Sequence, residues 1–360
     1  GATGQLNLGA VTLADGVLLD INTGGDISIA SVSGTSGGAA SNLRIDTSGT
    51  LQVSGAIGTD IGSFTLVETG DASFGGSVQV ANLTLPGASA SQAYNLAFTG
   101  ADNQLGSSAL VFSNTGTLTL GDQASDRFNL ASGLTATAPS AVRLGGSFYP
   151  AAAVTLGDSD TAVTLLADTL IRTNFNGAMS IGSTLDAATA GGAGLTLHAG
   201  GGALTLTGAV GQQQAVKHLL LGESGLTQQS GAISVNGSVS ATDRISFNGN
   251  TTLVGDALLR SNELDLGGSL ASDAAGRSLT LLPYSNGRTI NLGAWTATGD
   301  SDANAYDLTG VELNQISSTF SSVVLGHADA TPGLRGTIRL NASDSSPATS
   351  ANPLTLYAAD

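Results

Sequence analysis

The residues best spaced for chemistry are Asp300, Asp302, Asn304 and Asp307, in the run Asp-Ser-Asp-Ala-Asn-Ala-Tyr-Asp. Oxygen ligands at alternate positions suit a calcium loop, because a hard cation collects carboxylate and amide oxygens from one turn. Two departures exclude a full EF-hand. Ala305 stands at the sixth position, where the loop needs glycine, and Val311 stands at the twelfth, with Glu312 one place late. The expectation is a partial calcium loop and no other cofactor, with a solvated polar turn as the competing reading. Asp158 and Asp160 form a shorter version of the same pattern. The three histidines, His198, His218 and His327, are far apart and lack metal-ligand spacing. No Gly-x-Ser-x-Gly in a turn-to-helix context supports a serine nucleophile. No residue is expected to be catalytic.

The elements that must carry these residues are short strands. Ser48-Gly-Thr-Leu-Gln-Val-Ser-Gly-Ala-Ile-Gly58 reappears as Gly201-Gly-Ala-Leu-Thr-Leu-Thr-Gly-Ala-Val-Gly211. Looser copies are Gly116–Gly121, Gly194–Gly200 and Gly336–Leu340. Period-2 alternation broken by glycine marks strands joined by tight turns. Repetition along the whole chain marks a solenoid, with coils of roughly 22 residues. The fold class expected is all-β, an elongated parallel β-helix (β-solenoid) over 1–360 as a single domain. One region departs from the pattern. Leu313, Ile316 and Phe320 have near-helical spacing, and Thr309 with Glu312 has the spacing of a capping box. A short helix near 307–320 is therefore expected, inside an insertion spanning 299–322, with further coils over 323–360.

Composition agrees. Glycine is 51 of 360 residues, about twice the usual share of roughly 7%. Aromatics are only 4% of the chain, which a narrow column of Leu, Val, Ile and Ala tolerates. There are 27 acidic residues against 11 basic, with Lys217 the one lysine. A nucleic-acid partner needs a basic stripe and is excluded. No apolar run reaches the roughly 18 residues of a membrane span, so the chain is not expected to be transmembrane. There is no cysteine, so no disulfide or thiolate site is available. Gly1 opens in mid-pattern without a leader, as expected of a mature product or a fragment of a longer chain.

The Gly-x-Leu-Thr-Leu-x-Gly-Ala-Val-Gly phrase at 202–211, Ser278-Leu-Thr-Leu281 and the run Asp307–Gly326 carry a resemblance. The chain resembles the filamentous-haemagglutinin-like adhesins of bacterial two-partner secretion. That resemblance implies a right-handed β-helix and an extracellular place at a bacterial cell surface. The function expected is a secreted, non-catalytic, rod-like shaft of a large adhesin. Its partners would be a host or neighbouring-cell surface, through glycan or protein, or the chain itself, end to end. The alternative is a subunit of a self-assembling extracellular filament or sheath. A polysaccharide-processing enzyme is the minor alternative. It would need clustered carboxylates, or an arginine base with calcium-binding acids, on one wall. It would also want aromatic platforms, for which Phe148-Tyr149, Tyr284 and Trp295 are the candidates.

Overall fold

The computed structural model describes residues 4–58, 60–87, 93–174, 176–222, 231–293, 305–328, 333–340 and 352–358. These form a nearly all-β solenoid of parallel stacked coils, divided into two compact units, Gly1–Ser183 and Thr184–Asp360.

In the first unit one ladder runs through Leu6–Leu13, Ile27–Gly34, Leu51–Val53, Ala72–Phe74, Leu96–Phe98, Thr117–Leu120, Ala141–Pro150 and Ala162–Arg172. Every neighbouring pair is parallel. The register stacks Leu8, Ile29, Val53, Phe74, Phe98, Leu120, Leu144 and Leu165. The numbering of that column advances by close to the coil length read from the sequence at every step. Alternation puts the partners of these residues outward, so each coil buries one face and wets the other. Aromatic residues in the core meet ring to ring. Phe74 and Phe98 stack at 4.7 Å, and Phe128 stacks on Phe148 at 4.6 Å. Those separations match the roughly 4.7–4.9 Å between hydrogen-bonded strands, so each coil inherits the ring position of the one before. Phe148 is therefore core and not a surface platform.

Corners of the coil are made by glycine. Gly55, Gly76 and Gly100 follow closely on Val53, Phe74 and Phe98 and sit directly over one another. A Cβ on Gly76 would lie 2.1 Å from the Gly55 carbonyl carbon, and one on Gly100 would lie 2.2 Å from that of Gly76. Only backbone fits there. Asn103 interrupts a second apolar column at full burial, and its amide is bonded to backbone. Its Oδ1 accepts from Val78 N–H at 3.1 Å and its Nδ2 donates to Gly100 O at 2.6 Å.

The second unit is less regular. Leu197, Leu221, Phe247 and Leu266 form one column. Val239, Leu259, Leu281, Leu325 and Leu356 form another. The step from Leu281 to Leu325 is the longest in that column, and it contains an excursion. Thr289–Leu292 pairs in parallel with both Ala305–Leu308 and Ile338–Leu340. A helix follows at Gly310–Gln315, opened by the expected capping box of Thr309 and Glu312. It is shorter than the expected 307–320. Asp307 lies in a strand, Ile316 closes the helix in extended geometry (φ −72°, ψ 113°), and Phe320 opens the strand Phe320–Leu325. The apolar spacing of Ile316 and Phe320 reflects burial from two different elements and not one helical face. Among the described residues no helix is long and apolar enough to cross a membrane.

Candidate functional site

Of the proposed calcium ligands, Asp300, Asp302 and Asn304 lie outside the described residues, as does Trp295 of the proposed aromatic platforms. Asp307 is buried in its strand, and its Oδ1 accepts from Asn291 Nδ2 at 2.6 Å. Asp158 and Asp160 do meet. Asp158 Oδ1 accepts from Asp160 N–H at 3.3 Å and from Thr161 Oγ1 at 3.2 Å. A hydrogen bond between the two carboxyls holds Asp158 below the usual carboxylate range and pushes Asp160 above it. Among the described residues no three histidine or carboxylate side chains gather as a metal site. His198 is buried at a strand end, whereas the His218 ring covers Gly194, where a Cβ would lie 2.4 Å from Cε1.

Several acids scattered through the sequence have a structural role, each reaching across one coil. Asp26 Oδ1 accepts Thr50 N–H at 2.8 Å and Thr50 Oγ1 at 3.0 Å. Asp71 takes Asn95 N–H at 2.7 Å, and Asn95 Oδ1 in turn takes Thr117 N–H at 2.8 Å. Asp256 Oδ1 accepts Ser278 N–H at 2.9 Å. These bonds hold Asp26 and Asp256 below their usual range. A turn amide that no strand would satisfy is thus met by a carboxylate or amide from the coil before.

The second unit carries a cavity of about 490 Å³. Thr196, Ser246 and Asp265 occupy one outward column of its wall. Arg244, Asn248 and Glu312 complete the polar lining. Arg244 Nε pairs with Asp265 Oδ2 at 3.2 Å. Glu312 is committed to the fold. Its Oε1 accepts Leu266 N–H at 3.2 Å, and its Oε2 accepts both Thr309 N–H and Thr309 Oγ1 at 2.9 Å. It therefore forms a wall and is poorly placed to exchange protons with a ligand. Tyr306 lies fully buried nearby. Burial, reinforced by Glu263, Glu312 and Asp265, drives its phenol well above the usual range and keeps it neutral. Among the described residues the arrangement offers hydrogen bonds and the Arg244–Asp265 ion pair.

Sequence reasoning overlooked one pattern. Arg127 lies over Tyr149 at 4.5 Å, Arg260 over Tyr284 at 4.6 Å and Arg335 over Tyr357 at 5.4 Å. Tyr149 and Tyr284, expected as open platforms, are thus capped by arginine. An arginine one coil before a tyrosine was the available signal. No family model matches the chain, and no curated protein or solved structure is significantly similar to it.

Proposed function

We propose that this chain is a non-catalytic structural segment of an extracellular bacterial surface protein, a spacer of the adhesin-shaft kind. The observation that carries this reading is the first unit's ladder of eight parallel strands with in-register apolar columns. Seven steps at about 4.8 Å give about 34 Å of continuously hydrogen-bonded backbone without a disulfide. Such a ladder is lengthened by adding coils, because each coil touches only its neighbours. Much of the fold's polar capacity ties coils together, as the Asp26–Thr50 and Asp71–Asn95–Thr117 contacts illustrate.

A second reading, a subunit that self-assembles into a filament, is favoured by exposed apolar side chains on two strands. Leu18 is 54% exposed and Leu340 73%. Negative-stain electron microscopy of the purified chain over a concentration series separates the two. The spacer reading expects separate particles at every concentration. Filaments with a regular axial repeat, growing with concentration, would replace it with the second.

A further inference from the structure

The three stacked arginines are not equivalent. Arg260 Nη2 donates to Tyr284 O at 3.1 Å. Arg335 donates from Nε to His327 O at 3.1 Å and from Nη2 to Ala328 O at 2.8 Å. Both direct their terminal N–H groups to backbone carbonyls, as a structural brace would. Among the described residues Arg127 donates only from Nε, to Asn129 Oδ1 at 3.1 Å. The natural ion-pair partner is close at hand, since Asp102 is in register with Arg127 on the adjacent coil. Asp102 instead takes the Gln79 amide at 3.3 Å and the Asn129 amide at 3.4 Å. Arg127 thus keeps its Nη1–Nη2 edge open in a chain with 27 acids to 11 bases.

Arg127 lines a cavity of about 410 Å³ in the first unit. Its polar lining is Gln104, Arg127, Asn129, Tyr149 and Asn174, with Ala131 and Ala151 leaving room between them. Gln104, Asn129 and Tyr149 follow one another on successive coils of one outward column. Among the described residues no carboxylate lines this cavity.

We propose that this cavity binds a carboxylated sugar, a hexuronate residue of a glycan. Stacking on Tyr149 and the Nε bond to Asn129 fix the guanidinium plane before any ligand arrives, so little freedom is lost on binding. The remaining edge of two parallel N–H groups matches a carboxylate in bidentate fashion. Primary amides both donate and accept, which is what ring hydroxyls require. Gln104 and Asn174 supply two, while Asn129 holds the arginine. A simple anion would leave those amides and most of the cavity unused. The assignment stands whether or not the chain is a spacer.

Isothermal titration of the whole chain with trigalacturonate tests it, with maltotriose, acetate and inorganic phosphate as comparison ligands. One trigalacturonate should bind per chain. Arg127→Gln should weaken it by about tenfold or more, the loss expected for a charged hydrogen-bonded contact. Arg127→Lys should also weaken it, because a point charge lacks the fork. Asn174→Ala removes a side chain with no hydrogen bond among the described residues, and should cost affinity with unchanged circular dichroism and melting temperature. Arg260→Gln should leave binding unaltered. The proposal is overturned if trigalacturonate gives no heat at millimolar concentration, or if maltotriose binds equally well. It is also overturned if acetate or phosphate displaces the sugar at similar concentration, which marks a plain anion site, or if Arg127→Lys and Asn174→Ala both bind like the parent.

Discussion

Replacing Gly76 with alanine should destabilise the first unit, against the usual direction of that change. Gly76 has no positive φ, so alanine costs nothing in local backbone strain. The ordinary expectation is a gain of about 0.4–1 kcal/mol from a less flexible unfolded chain. The stacked corner reverses this. The added Cβ would lie 2.1 Å from Gly55 C, 2.4 Å from Gly55 O and 2.5 Å from Ala56 N, all backbone. Ordinary contact begins at 3.4 Å, so the two coils must part by most of that shortfall or tilt. The bonds flanking the corner, Gly75 N–H to Val53 O at 2.8 Å and Ile57 N–H to Ser77 O at 2.9 Å, would then exceed hydrogen-bonding range. Ile57 is buried, and its amide left without a partner costs about 1–3 kcal/mol; the exposed Gly75 loses only about 0.5–1.5, so the net penalty is about 1–4 kcal/mol. Urea unfolding followed by far-ultraviolet circular dichroism measures it. Gly9→Ala is the control, since a Cβ there meets nothing within 4 Å. A Gly76→Ala midpoint equal to or above the parent's would refute the stacked-corner register.

Two further outcomes follow from the same kinds of contact. Glu312→Ala removes the acceptor of both Thr309 groups and of Leu266 N–H. It should destabilise the excursion by about 1–3 kcal/mol, seen as faster amide exchange over 305–316 with the first unit unchanged; unaltered exchange would show that Glu312 is not the anchor. Asp26, Asp256 and Asp273 have carboxyls held below the ordinary 3.8 by amide donors, Thr50, Ser278 and Gly255 in turn, with desolvation opposing in part. A folded-state value below the unfolded one contributes stability that is fully present above the unfolded value and is lost as pH falls through the lower folded value. The urea midpoint should therefore drop below about pH 4, and Asp26→Asn should lower it at about pH 7 but not at about pH 2. Equal effects of Asp26→Asn at both pH values would break that linkage.

Much of the fold was legible because alternation and glycine corners are local signals. Leu51-Gln-Val53 and Leu204-Thr-Leu206 announce an inward–outward–inward strand by themselves, and both strands form with that burial. The capping box of Thr309 and Glu312 was readable for the same reason. Register was harder, since it depends on residues one coil apart. The glycine column at 55, 76 and 100 and the pairing of Arg127 with Tyr149 emerge only once the length of each coil is known. The end of the helix was misread because Ile316 and Phe320 keep apolar spacing while belonging to different elements. The role of the acids was hidden too. Asp26 and Asp71 look like dispersed surface charge, yet their partners lie a full coil downstream.

The central proposal, a spacer lengthened by stacking coils, is tested most directly by pulling the chain from its two termini in a single-molecule force experiment. Coils that touch only their neighbours should peel away in turn. Releasing about 22 residues at about 3.5 Å each, less one coil's rise, lengthens the chain by about 70 Å per step. A force–extension trace with repeated steps of that size is the expected result. One abrupt release of the whole length at low force would contradict the account.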